Sequence, residues 1–214
     1  MTILITGATR GIGAGLAQHY RDEGHEVIGT GRSVTSDLQL DVTRPASHRE
    51  MAEALGNRAI DLLVCNAGVY LDKGHDLETG FGVDLWAQTF ATNVTGVFLT
   101  IQTLLPHLRR AKQAKIAIIG SQMGSSTRAP GGSYIYRASK SAVLNLGRNL
   151  ASDLQGEGIA VGVYHPGWVR TDMGGEAAEI STDEAVTGLA ARFAALDLES
   201  TGCFETWDGR AHPF

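Results

Sequence analysis

The sequence predicts an α/β fold, a doubly wound parallel sheet of about seven strands flanked by helices, in one domain spanning residues 1–214. Three observations predict it. Short apolar runs alternate with longer amphipathic ones along the chain, the pattern of successive βαβ units. The short runs are apolar on both faces, as strands covered by helices on both sides must be. A glycine-rich turn joins the first strand run to the first helical one.

Taken in order, strands are expected at Ile3–Thr6, Glu26–Thr30, Ile60–Cys65, Lys115–Gly120, Ile159–Tyr164 and Cys203–Thr206. Ile12, Leu16 and Tyr20 recur every four residues and put one apolar stripe on the first helix. Between Arg32 and Asp41 there is too little chain for a helix, so a loop with a short strand at Leu38–Asp41 is expected there. A long helix runs over Leu85–Leu108, with Pro106 near its C-terminal end. Another covers Tyr136–Leu154, and a shorter last one Asp183–Leu196. The Gly/Ser/Thr/Pro enrichment at Ser121–Ser133 is confined to one loop, and no repeat or linker divides the chain.

Composition narrows the function classes. A hydrophobic content of 43% with 19% charged residues is that of an ordinary soluble protein. The net charge is −5, and the 18 basic residues are spread along the chain, which argues against a nucleic-acid surface. No apolar run approaches the roughly 18 residues of a membrane span. The first strand run begins as early as Thr2, leaving no room for a signal peptide. The two cysteines, Cys65 and Cys203, have no metal-site spacing and read as apolar packing. No metal is expected, and a reducing cytoplasm fits these features.

Thr6-Gly7-Ala8-Thr9-Arg10-Gly11-Ile12-Gly13 lies between the first strand and the first helix. Glycines there allow a tight turn and close backbone approach to a pyrophosphate, while the helix N-terminus offers free N–H groups and a favourable dipole. At the end of the second strand, Thr30-Gly31-Arg32-Ser33 carries no carboxylate to repel a ribose 2′-phosphate, and Arg32 can meet one with a planar fork of donors. This predicts NADP(H) in preference to NAD(H). Tyr136-Arg137-Ala138-Ser139-Lys140 places a phenol and an ammonium four residues apart, on one helix face. A nearby cation stabilises a phenolate and lowers its pKa from about 10, bringing it within reach of acid–base work.

The turn's spacing, Gly-x-x-x-Gly-x-Gly, resembles that of the short-chain dehydrogenase/reductase family, a group with the Rossmann-type fold. The resemblance runs from Thr6 to about Gly209. It implies a cofactor turn made by Gly7, Thr9, Arg10, Gly11, Ile12 and Gly13, with Arg10 as a second basic residue for the 2′-phosphate. Arg32 and Ser33 flank the adenosine site, and Asp41-Val42 resembles the adenine-contacting pair. Cys65-Asn66-Ala67-Gly68 resembles the family's Asn-Asn-Ala-Gly element, with Cys65 replacing the first Asn and Asn66, Ala67 and Gly68 retained. Pro166, Gly167, Val169 and Thr171 match the nicotinamide-side segment.

The resemblance also implies a catalytic tetrad of Asn93, Ser121, Tyr136 and Lys140. Ser121 would bond the substrate oxygen, Tyr136 would act as acid and base, and Lys140 would also hold the nicotinamide ribose. Asn93 would help hold a water linked to the lysine. Ser121 and Tyr136 stand farther apart than is usual in the family. That longer loop, with His165-Pro166-Gly167-Trp168-Val169-Arg170-Thr171-Asp172-Met173 after it, is similar to the branch holding the C-factor signalling protein and the sniffer carbonyl reductase.

The expected activity is NADPH-dependent reduction of a ketone or aldehyde to an alcohol, with no nucleic-acid or membrane partner. Gln122, Met123, Trp168 and Met173 are the expected substrate pocket, which suggests an apolar or aromatic carbonyl. His165 reads as packed or solvent-facing rather than catalytic. Two alternatives stay open at this point. One is a dinucleotide-binding signalling protein of the C-factor type with little turnover. The other is a nucleotide-sugar epimerase or dehydratase, for which the stretch after Met173 leaves little room. A homodimer through the two long helices is favoured.

Overall fold

A computed structural model describes residues 1–214. Its strands fall on the apolar runs: β1 (Thr2–Thr6), β2 (Glu26–Gly31), β3 (Leu38–Gln39), β4 (Leu62–Cys65), β5 (Lys115–Ile119), β6 (Ala160–His165) and β7 (Phe204–Thr206). They form one seven-stranded sheet in the order β3-β2-β1-β4-β5-β6-β7. Every neighbouring pair is parallel, in registers such as Ile3 with Val27, Ile3 with Leu62, and Ile118 with Val163. The chain steps outward from β1 to β3 and then returns to β4 on the other side of β1. Strand order therefore reverses between β1 and β4, and the crevice beyond their carboxyl ends is where such sheets hold ligands.

Helices α1 (Gly11–Asp22) and α6 (Thr182–Ala195) cover one face, and α2 (Pro45–Leu55), α4 (Gly96–Leu108) and α5 (Tyr134–Leu154) cover the other. The two cores follow the strand period of two. Ile3 and Ile5 pack with Leu16, Tyr20, Leu189 and Phe193. Leu4, between them, packs the opposite way with Met51, Leu104 and Val143. Each such side chain, fully buried, is worth about 1.5–3 kcal/mol. With both faces covered, the strands have no polar side to show, which is why they read as unbroken apolar runs.

Three local features differ from the sequence expectation. The long helix is α3 (Val83–Phe90) joined to α4 by a five-residue π turn, Ala91–Thr95. The wider turn carries Asn93 inward, where it is 1% exposed. Helix α5 begins at Tyr134, two residues before the expected start, after Ser133 in the left-handed region at φ 49°. Helix α2 was not anticipated, although Pro45 at its start, the buried Met51 and Leu55 one turn apart, and Gly56 at φ 57° after its end are its sequence signals. Cys65 is buried as expected, and its burial pushes the thiol up to about 12. Cys203 is only partly buried, with its sulfur 3.7 Å from the Tyr164 hydroxyl. No helix is long and apolar enough to cross a membrane.

Candidate active site

A cavity of about 700 Å³ opens at the reversal point. Arg32, Asp41 and Val42 line one end, the turn from Gly7 to Ile12 its middle, and Asn66, Ala67 and Gly68 its floor. Tyr136, Lys140, Pro166, Thr171 and Met173 line the other end. Gly7 and Gly11 adopt φ values of 67° and 55°, which a side chain would strain. Gly13 serves a different need. A Cβ there would lie 2.3 Å from the Gly7 carbonyl oxygen, so its absence lets α1 sit directly against its own turn.

Helix α1 has no side-chain cap, so N–H groups of its first turn remain free for an anion. Asn66 braces the turn from below, donating from Nδ2 to the Thr6 and Gly7 carbonyls at 3.0 and 3.1 Å. The Thr6 hydroxyl in turn accepts from the Asn66 and Ala67 N–H groups, both at 3.0 Å. A close-packed glycine turn, free amides and a long trough together fit an extended ligand with phosphates at its middle.

The two arginines differ. Arg10 donates to Asp172 across the mouth at 2.7 Å, with side chains 74% and 77% exposed. Arg32 forms no ion pair and stands exposed at the far end. Partial burial raises the Asp41 carboxyl, but hydrogen bonds from Thr43 and the charges of Arg32 and Arg44 outweigh this and hold it below its usual range.

At the other end, Tyr136 and Lys140 are buried one turn apart on α5, with Nζ 5.7 Å from the centre of the phenol ring. Lys140 donates to the Ile119 carbonyl at the end of β5, at 2.8 Å. Two residues further on, Ser121 accepts the Met123 N–H at 3.1 Å, which leaves its own O–H to donate elsewhere. The 3₁₀ turn Gln122–Gly124 then rests on α5. A Cβ at Gly124 would come 2.6 Å from the Lys140 carbonyl carbon, so this glycine sets how closely Ser121 and Lys140 approach.

Burial pushes the Tyr136 phenol up to about 12, with Tyr70 and Asp72 adding to the rise and a hydrogen bond with Ser121 opposing it. The sequence suggested the opposite direction, through Lys140. Desolvation dominates instead, and it pulls the ammonium of Lys140 down to about 8.

Asn93 lies behind these groups rather than on the cavity wall. Its Oδ1 accepts the Val69 N–H at 2.8 Å, and its Nδ2 donates to the Val69 carbonyl at 2.9 Å and to Ser139 Oγ at 3.0 Å. It therefore ties the loop after β4 to α5.

Of the four residues expected in the substrate pocket, Met173 alone lines the cavity. Gln122 and Met123 are carried into the 3₁₀ turn, where the Gln122 side chain accepts from Arg128 and the Met123 carbonyl from Arg137. Trp168 is 47% exposed and donates its indole N–H to the Gly174 carbonyl. Gly167, at φ 88°, and buried Val169 shape the loop without facing the trough. Ser33 bonds Thr35 instead of lining the cavity. His165 is buried at the end of β6, and burial pushes it down to about 4, so it is neutral near pH 7.

Sequence reasoning missed Leu71, Gln88 and Thr92, which line the cavity. It also missed Tyr70, whose ring stacks on Tyr136 at 4.4 Å, and Asp172. The place of Tyr70-Leu71, one residue beyond Asn66-Ala67-Gly68, was the one available signal.

A family model described as short chain dehydrogenase matches residues 1–181. The chain is 31% identical over 225 residues to the 1-hydroxy-2-glutathionyl-2-methyl-3-butene dehydrogenase of Rhodococcus sp. (strain AD45), with 97% of each chain covered. It is 35% identical over 159 residues to C-signal of Myxococcus xanthus, covering 72% of this chain and 93% of that one. Among solved structures, the NADPH-bound carbonyl reductase from chicken fatty liver superposes with a TM-score of 0.89 at 27% identity, covering 100% of this chain and 98% of the other.

Proposed function

We propose that this chain, which belongs to the short chain dehydrogenase family, is an NADPH-dependent reductase of ketones or aldehydes. One observation carries the reading. Tyr136 and Lys140, on α5, line one end of a trough whose middle is a glycine turn fitted for phosphates, and Ser121, just after β5, hydrogen-bonds Tyr136.

In this reading Gly7 to Gly13 hold the pyrophosphate, Asp41 and Val42 the adenine side, and Asn66 to Gly68 the floor. Pro166 and Thr171 hold the nicotinamide side. NADPH bound there would supply the hydride that the carbonyl carbon accepts. Ser121 and Tyr136 donate hydrogen bonds to the carbonyl oxygen and orient it. As negative charge develops there, Tyr136 Oη gives up its proton and the product leaves as an alcohol. Fixed donors of this kind are worth several kcal/mol at a developing oxyanion. A phenol held at about 12 is protonated near neutrality, the form that a proton donor in reduction needs. Lys140, itself mostly cationic near pH 7, offsets the phenolate that remains.

The preference for NADPH rests on Arg32, free at the adenosine end with no carboxylate beside it in Thr30–Ser33, and Arg10 is a second candidate only if it leaves Asp172. The chicken enzyme's NADPH supports the same choice. We read residues 1–214 as one domain acting on a small molecule, with a homodimer through the α3–α4 and α5 faces. The likeness to C-signal favours a second reading, a dinucleotide-binding signalling protein with little turnover. Consumption of NADPH against a panel of aldehydes and ketones separates the two. Steady turnover that Tyr136→Phe abolishes, with NADPH still bound, supports the reductase. Turnover that survives the substitution sinks the assignment.

A further inference from the structure

The N-terminus of α5, which carries Tyr136, is not capped by its own sequence. Ser133, the preceding residue, is left-handed and makes no side-chain cap bond. Arg137 donates to the Ser133 carbonyl at 2.9 Å, and the amides of the first turn are left over. Asp72 takes them. Its carboxylate, 0% exposed, accepts the Ile135 N–H at 2.9 Å on Oδ2 and the Tyr136 N–H at 3.2 Å on Oδ1. These are the second and third amides of the helix, the ones an ordinary N-cap side chain satisfies.

The same loop grips the helix at two more points. The Tyr70 ring stacks on the Tyr136 ring, and its hydroxyl bonds the Ser133 hydroxyl. The loop itself is pinned at Val69 by both ends of the Asn93 amide.

We propose that Asp72 is a positioning residue for the reaction: it caps α5 from the loop after β4 and thereby fixes the phenol of Tyr136 against Ser121. A buried carboxylate at a helix N-terminus also aligns favourably with the helix dipole. The groups facing the phenol are Ser121, Tyr70, Asp72 and Lys140. Of these, Asp72 adds negative charge that disfavours the phenolate. The residue thus has two separable effects, one through backbone geometry and one through charge.

The inference rests on the reductase reading, so wild-type turnover of 4-nitrobenzaldehyde with NADPH is measured first; its absence refutes that reading and leaves the capping measurement standing. Amide hydrogen exchange of the full chain by NMR then compares Ile135 and Tyr136 with the β5 amides. In Asp72→Ala the two helix amides should exchange about tenfold faster or more while β5 is unchanged. The value of kcat should fall roughly 10- to 100-fold, with KM for the aldehyde and the Kd of NADPH within about threefold of wild type.

Asp72→Asn keeps one acceptor oxygen and loses the charge. It should recover part of kcat and move the alkaline limit of reduction to lower pH, because the phenol then ionises more easily. If the alanine variant does not fold, the asparagine variant carries both readouts. Faster exchange at Ile135 and Tyr136 with kcat unchanged overturns the proposal, as does a loss of kcat with both amides still protected.

Discussion

The two ends of the trough are built on opposite principles. At the adenosine end and over the middle of the trough the charges are exposed and loosely engaged: Arg32 is unpaired at the end, and Arg10, in the central turn, meets Asp172 in a pair more than 70% exposed on each side. At the catalytic end Tyr136, Lys140, Ser121 and Asn93 are all more than 90% buried, each held by named partners. Exposed charges act through a high dielectric and are screened by salt, so each contributes little and the contributions are tunable. Buried polar groups act at low dielectric, where one missing partner is costly. The difference teaches that, on the proposed reading, the exposed cofactor side can be altered by degrees, whereas the buried Tyr136 end works as a unit.

The sharpest way to break this contrast is at Tyr136. Tyr136→Phe should lower kcat by about 100- to 10,000-fold, with NADPH affinity little changed by fluorescence titration. Ser121→Ala comes next, removing one donor to the oxyanion at a cost of roughly 100-fold in kcat. It should also let the phenol pKa rise further, because the Ser121 hydrogen bond holds it down.

Lys140 sharpens the comparison through pH. Its ammonium, lowered to about 8 by burial, loses its proton as pH rises through that value. The charge-dependent part of kcat/KM should be full below pH 8 and fade above it, in a pH–rate profile of the wild type.

Effects among the exposed charges should be smaller. Arg32→Ala should weaken NADPH by about tenfold while leaving NADH unchanged, a loss that shrinks as salt is added. Asp172→Asn should alter NADPH affinity by no more than about twofold, in the favourable direction because Arg10 is released. A tenfold effect there would show that the exposed end is as tightly coupled as the buried one.

The sheet was legible because burial on both faces leaves a plain apolar code, and Leu62–Cys65 or Lys115–Ile119 admit little else. The glycine turn was legible because Gly7, Gly11 and Gly13 meet steric demands that few other residues satisfy. The Tyr136/Lys140 pair was legible because helical spacing of four is local. What was hidden is what depends on contact at a distance. Nothing near Asp72 in the sequence announces that it caps a helix beginning at Tyr134, and nothing near Arg10 announces Asp172. The side-chain directions of Gln122 and Met123 were hidden for another reason: a short 3₁₀ turn changes the periodicity without changing the composition. The sign of the Tyr136 shift followed from burial, which spacing alone does not report.

The run Gly131-Gly132-Ser133 has three successive positive φ values, and a Cβ at either glycine would meet nothing within 4 Å. Since α5 takes its anchor from Asp72, the segment leading into it is relieved of holding the catalytic helix in place. That separation makes the entry segment a natural graft site. Loops of different length or chemistry can be exchanged between Ser125 and Gly132 with Tyr136 left where it stands.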